Sequence, residues 1–168
     1  MTEAELTTYL ETHHEDCFLW AMSCCHQDVE EARDLLHTVY LKILEGKASF
    51  KQKSSFKTWI FSMIRNRAID RYRKNQRRIK RIRSFSSQAF EPGPELHMIR
   101  NESHSLLRRA LNILTDKQHQ VVHLVYFDEI SVAEAAEIMN ISVSTARTHL
   151  ERAKKKLKKI LHLEKLTA

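Results

Sequence analysis

Apolar positions recur every third or fourth residue along this chain, the period of an amphipathic helix. Leu6, Leu10, His13, Cys17, Ala21 and Cys24 form a first stripe. A second follows Asp28-Val-Glu-Glu31, which has capping-box spacing. It comprises Val29, Ala32, Leu35, Leu36, Val39, Tyr40, Ile43 and Leu44, and Gly46 ends it as a left-handed cap. After a polar loop from Lys47 to Ser55, a third helix is predicted from Phe56 to the region of Arg77. Its inward face is Trp59, Ile60, Met63, Ile64 and Ala68.

The pattern then breaks. Ser84 to Glu95 holds a Ser pair, both prolines and a glycine, residues that stop helices and favour a linker. We place a first domain at 1–83, a flexible linker at 84–105 and a second domain at 106–168. Helical periodicity resumes between Leu96 and Leu106. Thr115-Asp-Lys-Gln118 is a second capping box, opening a helix with Val121, Val122, Val125 and Tyr126. Ser131-Val-Ala-Glu134 is a third, opening a short helix that ends near Asn140. Ser142 caps a last helix that continues to about Leu163. No strand-like alternation is present. Two glycines and two prolines are too few for the turns of a sandwich or barrel. The predicted fold is all-α: two small helical domains joined by a flexible linker.

Within the second domain, residues 131–153 have the form of a helix-turn-helix: a short helix, a turn at Asn140-Ile141-Ser142 and a longer helix. Ala135 and Ala136 permit close crossing. Ile141, Val143, Ala146 and Leu150 are spaced to pack inward. Ser144, Thr145, Arg147, Thr148, Glu151 and Arg152 then face outward, where hydroxyls suit phosphate or base edges and Arg147 suits a guanine edge. A plain helical hairpin with a solvated face is the alternative.

Charge sharpens this picture. Residues 1–50 carry 10 Asp/Glu against 3 Lys/Arg, whereas residues 51–83 carry 13 Lys/Arg against a single acid. So dense a cationic block repels itself unless something anionic faces it, and nucleic acid is the common partner. Aromatics are interspersed among its cations: Phe50, Phe56, Trp59, Phe61 and Tyr72 among Lys51, Lys53, Lys57, Arg65, Arg67, Arg71, Arg73, Lys74, Arg77 and Arg78. Cations track phosphates while aromatic faces stack on unpaired bases, so the mixture points to single-stranded or melting DNA. Trp59 on these grounds is either a core anchor or a base contact. The acidic helix 28–45 would be repelled by DNA; its outer face, with Asp34 and His37, is either solvated or a protein-docking surface.

Other chemistries find little support. His13 and Cys17 sit one helical turn apart with Cys24, Cys25 and His26 beyond, a spacing that could share a metal. Those positions lie on the apolar stripe, where cysteine is a common core residue. We expect no metal and no cofactor, and reduced thiols. No Gly-x-Ser-x-Gly, His-Glu-x-x-His or Cys-x-x-Cys pattern occurs, so no enzymatic activity is expected. No apolar run approaches the ~20 residues of a membrane span, and no signal-peptide pattern opens the chain; a cytoplasmic protein without membrane insertion is expected.

Taken together, the acidic-then-basic helical module, the polar linker and the helix-turn-helix resemble a bacterial extracytoplasmic-function sigma factor over nearly the whole chain. The most specific stretch is Ser54 to Arg73. In it Phe56, Trp59, Ile60, Met63 and Asn66 are similar to the Phe-x-x-Trp-Leu-x-x-Ile-x-x-Asn signature of sigma regions 2.3–2.4. Residues 28–44 resemble region 2.2 and residues 114–158 resemble region 4. The chain departs from the family at His37-Thr38, where Gln-Glu is usual, and at His149, where a basic residue is frequent.

The resemblance implies a promoter-specificity subunit of RNA polymerase. Asp34, Leu35 and His37 would dock on the β′ clamp coiled coil, with the β subunit a further contact. Lys57, Trp59, Arg65, Asn66 and Arg71 would open the −10 element and hold a flipped base. Ser144, Thr145, Arg147, Thr148 and Arg152 would read the −35 element as duplex in the major groove. The linker would thread toward the polymerase active-site and RNA-exit path. With no further domain expected after residue 168, control would come from a separate anti-sigma factor. A free-standing helix-turn-helix regulator is the competing possibility, and a nucleic-acid-processing enzyme a third.

Overall fold

The structure is a computed structural model that describes residues 3–85, 111 and 113–165. The predicted linker beyond Phe85 and the periodicity between Leu96 and Leu106 lie outside the described residues. Among the described residues the elements are helical and none is a strand. They are α1 (Glu3–Thr12), α2 (His14–Cys24), α3 (Val29–Leu44), α4 (Phe56–Phe85), α5 (Asp116–Val122), a π-helical turn (His123–Phe127), α6 (Val132–Met139) and α7 (Val143–Lys165).

The first apolar stripe folds as two helices, broken at His13. The break is slight, because the His13 N–H still donates to the Tyr9 carbonyl and the Cys17 N–H to the His13 carbonyl. Asp28 caps α3 by accepting the Glu31 N–H at 2.9 Å. The expected inward set of α3 holds in its centre: Ala32, Leu35, Leu36, Val39 and Ile43 are buried, while Val29 and Leu44 at its ends are exposed. Gly46 has φ +69, the left-handed conformation that glycine adopts without Cβ strain.

Helix α4 runs further than its periodicity predicted, through Ser84 and Phe85, which were assigned to the linker. No proline occurs before Pro92, and Lys and Arg are good helix formers, so nothing in 78–85 stops it.

In the first module α2 packs on α3 and α4, and α1 on α2; in the second, α5 and α6 pack on α7. The modules also meet each other, through α4 with α6 and through α2 with α5 and the π turn. Their buried apolar residues form one cluster, from Leu10 to Ala153.

Trp20 is the largest fully buried side chain. It stacks on Phe61 at 5.6 Å, its Nε1–H donates to the Phe61 carbonyl at 3.0 Å, and its other side meets the His123 ring at 5.6 Å. One indole thus touches α2's own module and the second module.

Trp20→Ala should destabilise the chain by about 3–5 kcal/mol, the range for truncating a buried aromatic. Denaturant titration followed by circular dichroism checks this. A loss under about 1 kcal/mol, the scale of an ordinary surface substitution, would mean Trp20 is not the anchor described.

Candidate nucleic-acid interface

The helix-turn-helix is built by its caps. Ser131 Oγ accepts the Glu134 N–H at 3.2 Å, and Glu134 Oε2 accepts the Ser131 N–H at 3.3 Å, so both arms of the capping box form. Helix α6 ends at Asn140, which takes φ +49, a left-handed conformation asparagine tolerates better than most residues. The Ile141 N–H then returns to the Ala136 carbonyl at 3.0 Å. Ser142 starts α7 two residues after the turn by accepting the Thr145 N–H at 3.1 Å. Ala135, Ala136, Ala146 and Ala153 are all essentially inaccessible, and their small side chains let α6 and α7 approach closely.

The outward residues follow. Ser144, Thr145, Arg147, Thr148, Glu151 and Arg152 are all exposed. Val143 joins them, at 37% exposed, although its spacing suggested an inward position. It is the first residue of α7, where the helix has not yet turned against its neighbours. Ser142 Oγ lies 2.9 Å from Ser144 Oγ and 2.7 Å from Thr145 Oγ1. Hydroxyls therefore cluster at the positive end of the helix macrodipole, beside Arg147 and Arg152.

The first module presents a different surface. Much of its aromatic content is core: Phe61 is fully buried and Phe56 nearly so. Trp59 is half-buried, 5.3 Å from Phe50 and 5.5 Å from Phe56 between ring centroids, so it is anchored by aromatic neighbours yet partly accessible. Asn66 is exposed, as are Lys51, Lys53, Tyr72, Arg73, Lys74, Arg77 and Arg78. Tyr72 and the cations after it extend the surface beyond the five residues singled out for the −10 element.

The other three of those five have protein partners. Lys57 Nζ lies 2.9 Å from Asp16 Oδ2 and 3.3 Å from Asp128 Oδ1. Arg65 is buried and its Nε–H donates to Gln120 Oε1 at 3.1 Å. Burial lowers the pKa of its guanidinium. Arg71 lies 3.6 Å from Asp34. Among the residues assigned to polymerase docking, Asp34 and His37 are exposed. Leu35 is not: it is fully buried on the inner face of α3, so its contribution is to the core and not to an outer contact.

The contacts of Gln120 with Arg65, His123 with Trp20 and Asp128 with Lys57 carry no local sequence signal, because each joins residues more than fifty positions apart. They come from the second module, where the π turn closes with the Asp128 N–H on the His123 carbonyl at 3.2 Å. Asp128 is nearly inaccessible. Burial pushes its pKa up to about 6, against the pull of Lys57 and with help from Asp16. His123 Nε2 lies 3.3 Å from Asp128 Oδ2, yet is poorly aligned, and Oδ2 is buried without a hydrogen bond. Burial, His119 and Lys57 push His123 down to about 4, while Asp16 opposes them.

The candidate metal cluster is not assembled. Cys17 is in the core, where burial holds its thiol at about 12 despite a hydrogen bond with Tyr40. Among the described residues, no three His, Cys, Asp or Glu side chains converge as a metal site requires. Nor is any described helix long and apolar enough to cross a membrane.

Comparison with known proteins finds the family description Sigma-70 region 2 over residues 10–78 and Sigma-70, region 4 over residues 104–157. RNA polymerase sigma factor YlaC of Bacillus subtilis is 33% identical over 135 residues, covering 78% of each chain. ECF RNA polymerase sigma factor SigX of the same organism is 30% identical over 159 residues, covering 91% of this chain and 81% of that one. The sigma factor RpoE of Bartonella quintana, solved with the anti-sigma factor NepR, has the same fold: its TM-score is 0.74 at 22% identity, over 94% of this chain and 97% of that one.

The two titrating groups at the module contact pull stability in opposite directions with pH. His123, depressed from 6.5, contributes stability that is present above 6.5 and lost as pH falls toward 4. Asp128, raised from 3.8, contributes stability that is present below 3.8 and lost as pH rises through 6. In His123→Gln only the second slope remains. Relative to the native chain, this variant should gain stability between pH 7 and pH 5, read from denaturation midpoints at both values. An unchanged difference would show that His123 is not held neutral by the contact.

Proposed function

The chain belongs to the extracytoplasmic-function sigma factors of RNA polymerase, and from that premise we propose how its two modules divide promoter recognition. It is a promoter-recognising sigma factor and not a free-standing regulator: the free-standing alternative fails because both sigma-70 regions occur, in order, on one chain. That co-occurrence is the observation that carries the function. It also favours a binding role over turnover and a cytosolic site of action beside the polymerase.

The second module reads the −35 element as duplex. The N-terminal half of α7 enters the major groove, with Ser144, Thr145 and Thr148 on phosphates or base edges and Arg147 and Arg152 on guanine or phosphate. Their uniform exposure and the tightly capped turn before them support this reading. The first module acts at −10, where unpairing costs a few kcal/mol per base and must be offset by stacking and phosphate contact. Trp59, partly accessible, and Asn66, exposed, would meet an unstacked base. Lys57, Arg65 and Arg71 supply charge once freed from their protein partners. Asp34 and His37 form the polymerase-facing patch on α3.

Core RNA polymerase and promoter DNA are therefore its partners. The solved relatives RpoE and CnrH carry the anti-sigma factor NepR and the cytosolic domain of CnrY, and a separate anti-sigma protein is proposed for this chain as well.

In vitro transcription with core polymerase over a promoter library tests the function directly. Templates should be selected by both −35 and −10 sequence, and the absence of any polymerase-dependent selection would refute it. Arg147→Ala should cost about 1–3 kcal/mol of discrimination at one −35 position, as expected for loss of a bidentate base contact. If the −35 preference is unchanged, Arg147 does not read a base. Trp59→Ala should slow strand opening, seen by permanganate reactivity of thymines, more than it weakens closed-complex binding. Equal losses in both would reduce Trp59 to a core residue.

A further inference from the structure

The inner cations of α4 are not provided for alike. Lys57 has Asp16 and Asp128 within ion-pair distance, and Arg71 has Asp34. Arg65 is buried more deeply than either, at 8% exposed, yet its Nε–H donates to a neutral amide, Gln120 Oε1. Among the described residues no carboxylate pairs with it. An interior guanidinium without counter-charge is costly, because burial strips its water and one amide oxygen replaces only part of it.

Arg65 also lines a cavity of about 260 Å³ between α2, α4 and α5. Ala68 and Ile69 of α4, with Cys24 and Cys25 at the end of α2, form much of its wall. Burial raises the pKa of Cys24 and takes Cys25 to about 12, so both are neutral thiols at neutral pH and act as small apolar groups. Exposed Tyr72, Arg73 and Asp116 border the same cavity, so it reaches solvent. A concave, largely apolar space where two modules meet, with few polar groups, is the usual form of a small-ligand site, and this one suits a ligand smaller than most.

We propose that the cavity binds a small organic monocarboxylate, its carboxylate on the Arg65 guanidinium and its apolar body against Ala68, Ile69 and the two thiols. The anion supplies the counter-charge that Gln120 cannot, in the two-pronged geometry a guanidinium offers a carboxylate. Of the other charges at the border, Arg73 attracts an anion, while Glu31 and Asp116 repel one. A phosphate dianion, which brings a second charge toward those two carboxylates, fits less well. The site needs only the fold of this chain and does not rest on the promoter reading.

Heteronuclear NMR of the full chain, labelled with nitrogen, measures binding through the Arg65 Nε–H and the backbone N–H groups of Cys24, Cys25 and Ile69. The probes are acetate, butyrate and benzoate, with benzamide as the neutral counterpart of benzoate, and inorganic phosphate, all at constant ionic strength. Butyrate and benzoate should shift these signals saturably. Acetate lacks an apolar body and should bind more weakly. Benzamide should bind about tenfold more weakly than benzoate, as expected when a charge-assisted hydrogen bond is replaced by a neutral one. Arg65→Gln should abolish the shifts. Ala68→Leu keeps the guanidinium, fills the space and suits a helix, and should abolish them too while the circular dichroism stays native. It decides the matter if Arg65→Gln does not fold. The proposal is overturned if neither butyrate nor benzoate shifts these signals, as for a cavity that holds water alone. It is equally overturned if benzamide binds as tightly as benzoate, if phosphate binds more tightly than both carboxylates, or if folded Ala68→Leu keeps native affinity.

Discussion

Lys57 lies within ion-pair distance of a carboxylate from each module, Asp16 at 2.9 Å and Asp128 at 3.3 Å, and the arrangement of the molecule turns on that meeting. A block of 13 cations in 33 residues cannot fold quietly against apolar surface. It needs counter-charge or solvent. Lys51, Lys53, Arg73, Lys74, Arg77 and Arg78 have solvent. Where α4 enters the core, the three cations Lys57, Arg65 and Arg71 have instead been given Asp16 and Asp128, Gln120 and Asp34. Placing a charge in a partly buried site costs several kcal/mol unless it is paired and hydrogen-bonded, so Asp16 and Asp34 within the first module and Asp128 and Gln120 from the second offset that cost.

The same physics limits what the polar part of the contact contributes. An ion pair near the surface is worth little net free energy, because desolvation offsets most of the attraction. The apolar part of the junction includes Trp20, against Phe61 and His123, and the packing of α4 on α6, where the buried residues of both modules join one cluster. The two DNA-facing surfaces differ accordingly. The α7 face is formed by capping within one module and is ready at all times. The α4 face is formed jointly with the second module and is partly covered by it.

Helix existence, caps and the helix-turn-helix were legible in the residues alone, because each is set by neighbours within four or five positions. Asp28, Ser131 and Ser142 cap as their spacing indicates, and the outward set on α7 follows from a period of 3.6 about Ala146 and Leu150. The family signature from Phe56 to Asn66 was legible for the same reason. The long reach of α4 through Phe85 was readable too, since no breaker precedes Pro92, but composition drew the boundary at Ser84.

What the chain could not disclose locally is anything that depends on partners distant in sequence. Periodicity already put Leu35 in the inward stripe of α3; its docking role came from the resemblance, and its full burial excludes it. Spacing puts Phe61 among cations without saying that Trp20 covers it. It gives no sign that Arg65 meets Gln120 or that Lys57 meets Asp128, pairs separated by 55 and 71 positions. Local spacing fixes backbone hydrogen bonds and the face a residue occupies. Which faces meet is decided by the shared apolar core, including Trp20, together with the polar pairs of Lys57 and Arg65, a choice made only when both modules are folded against each other.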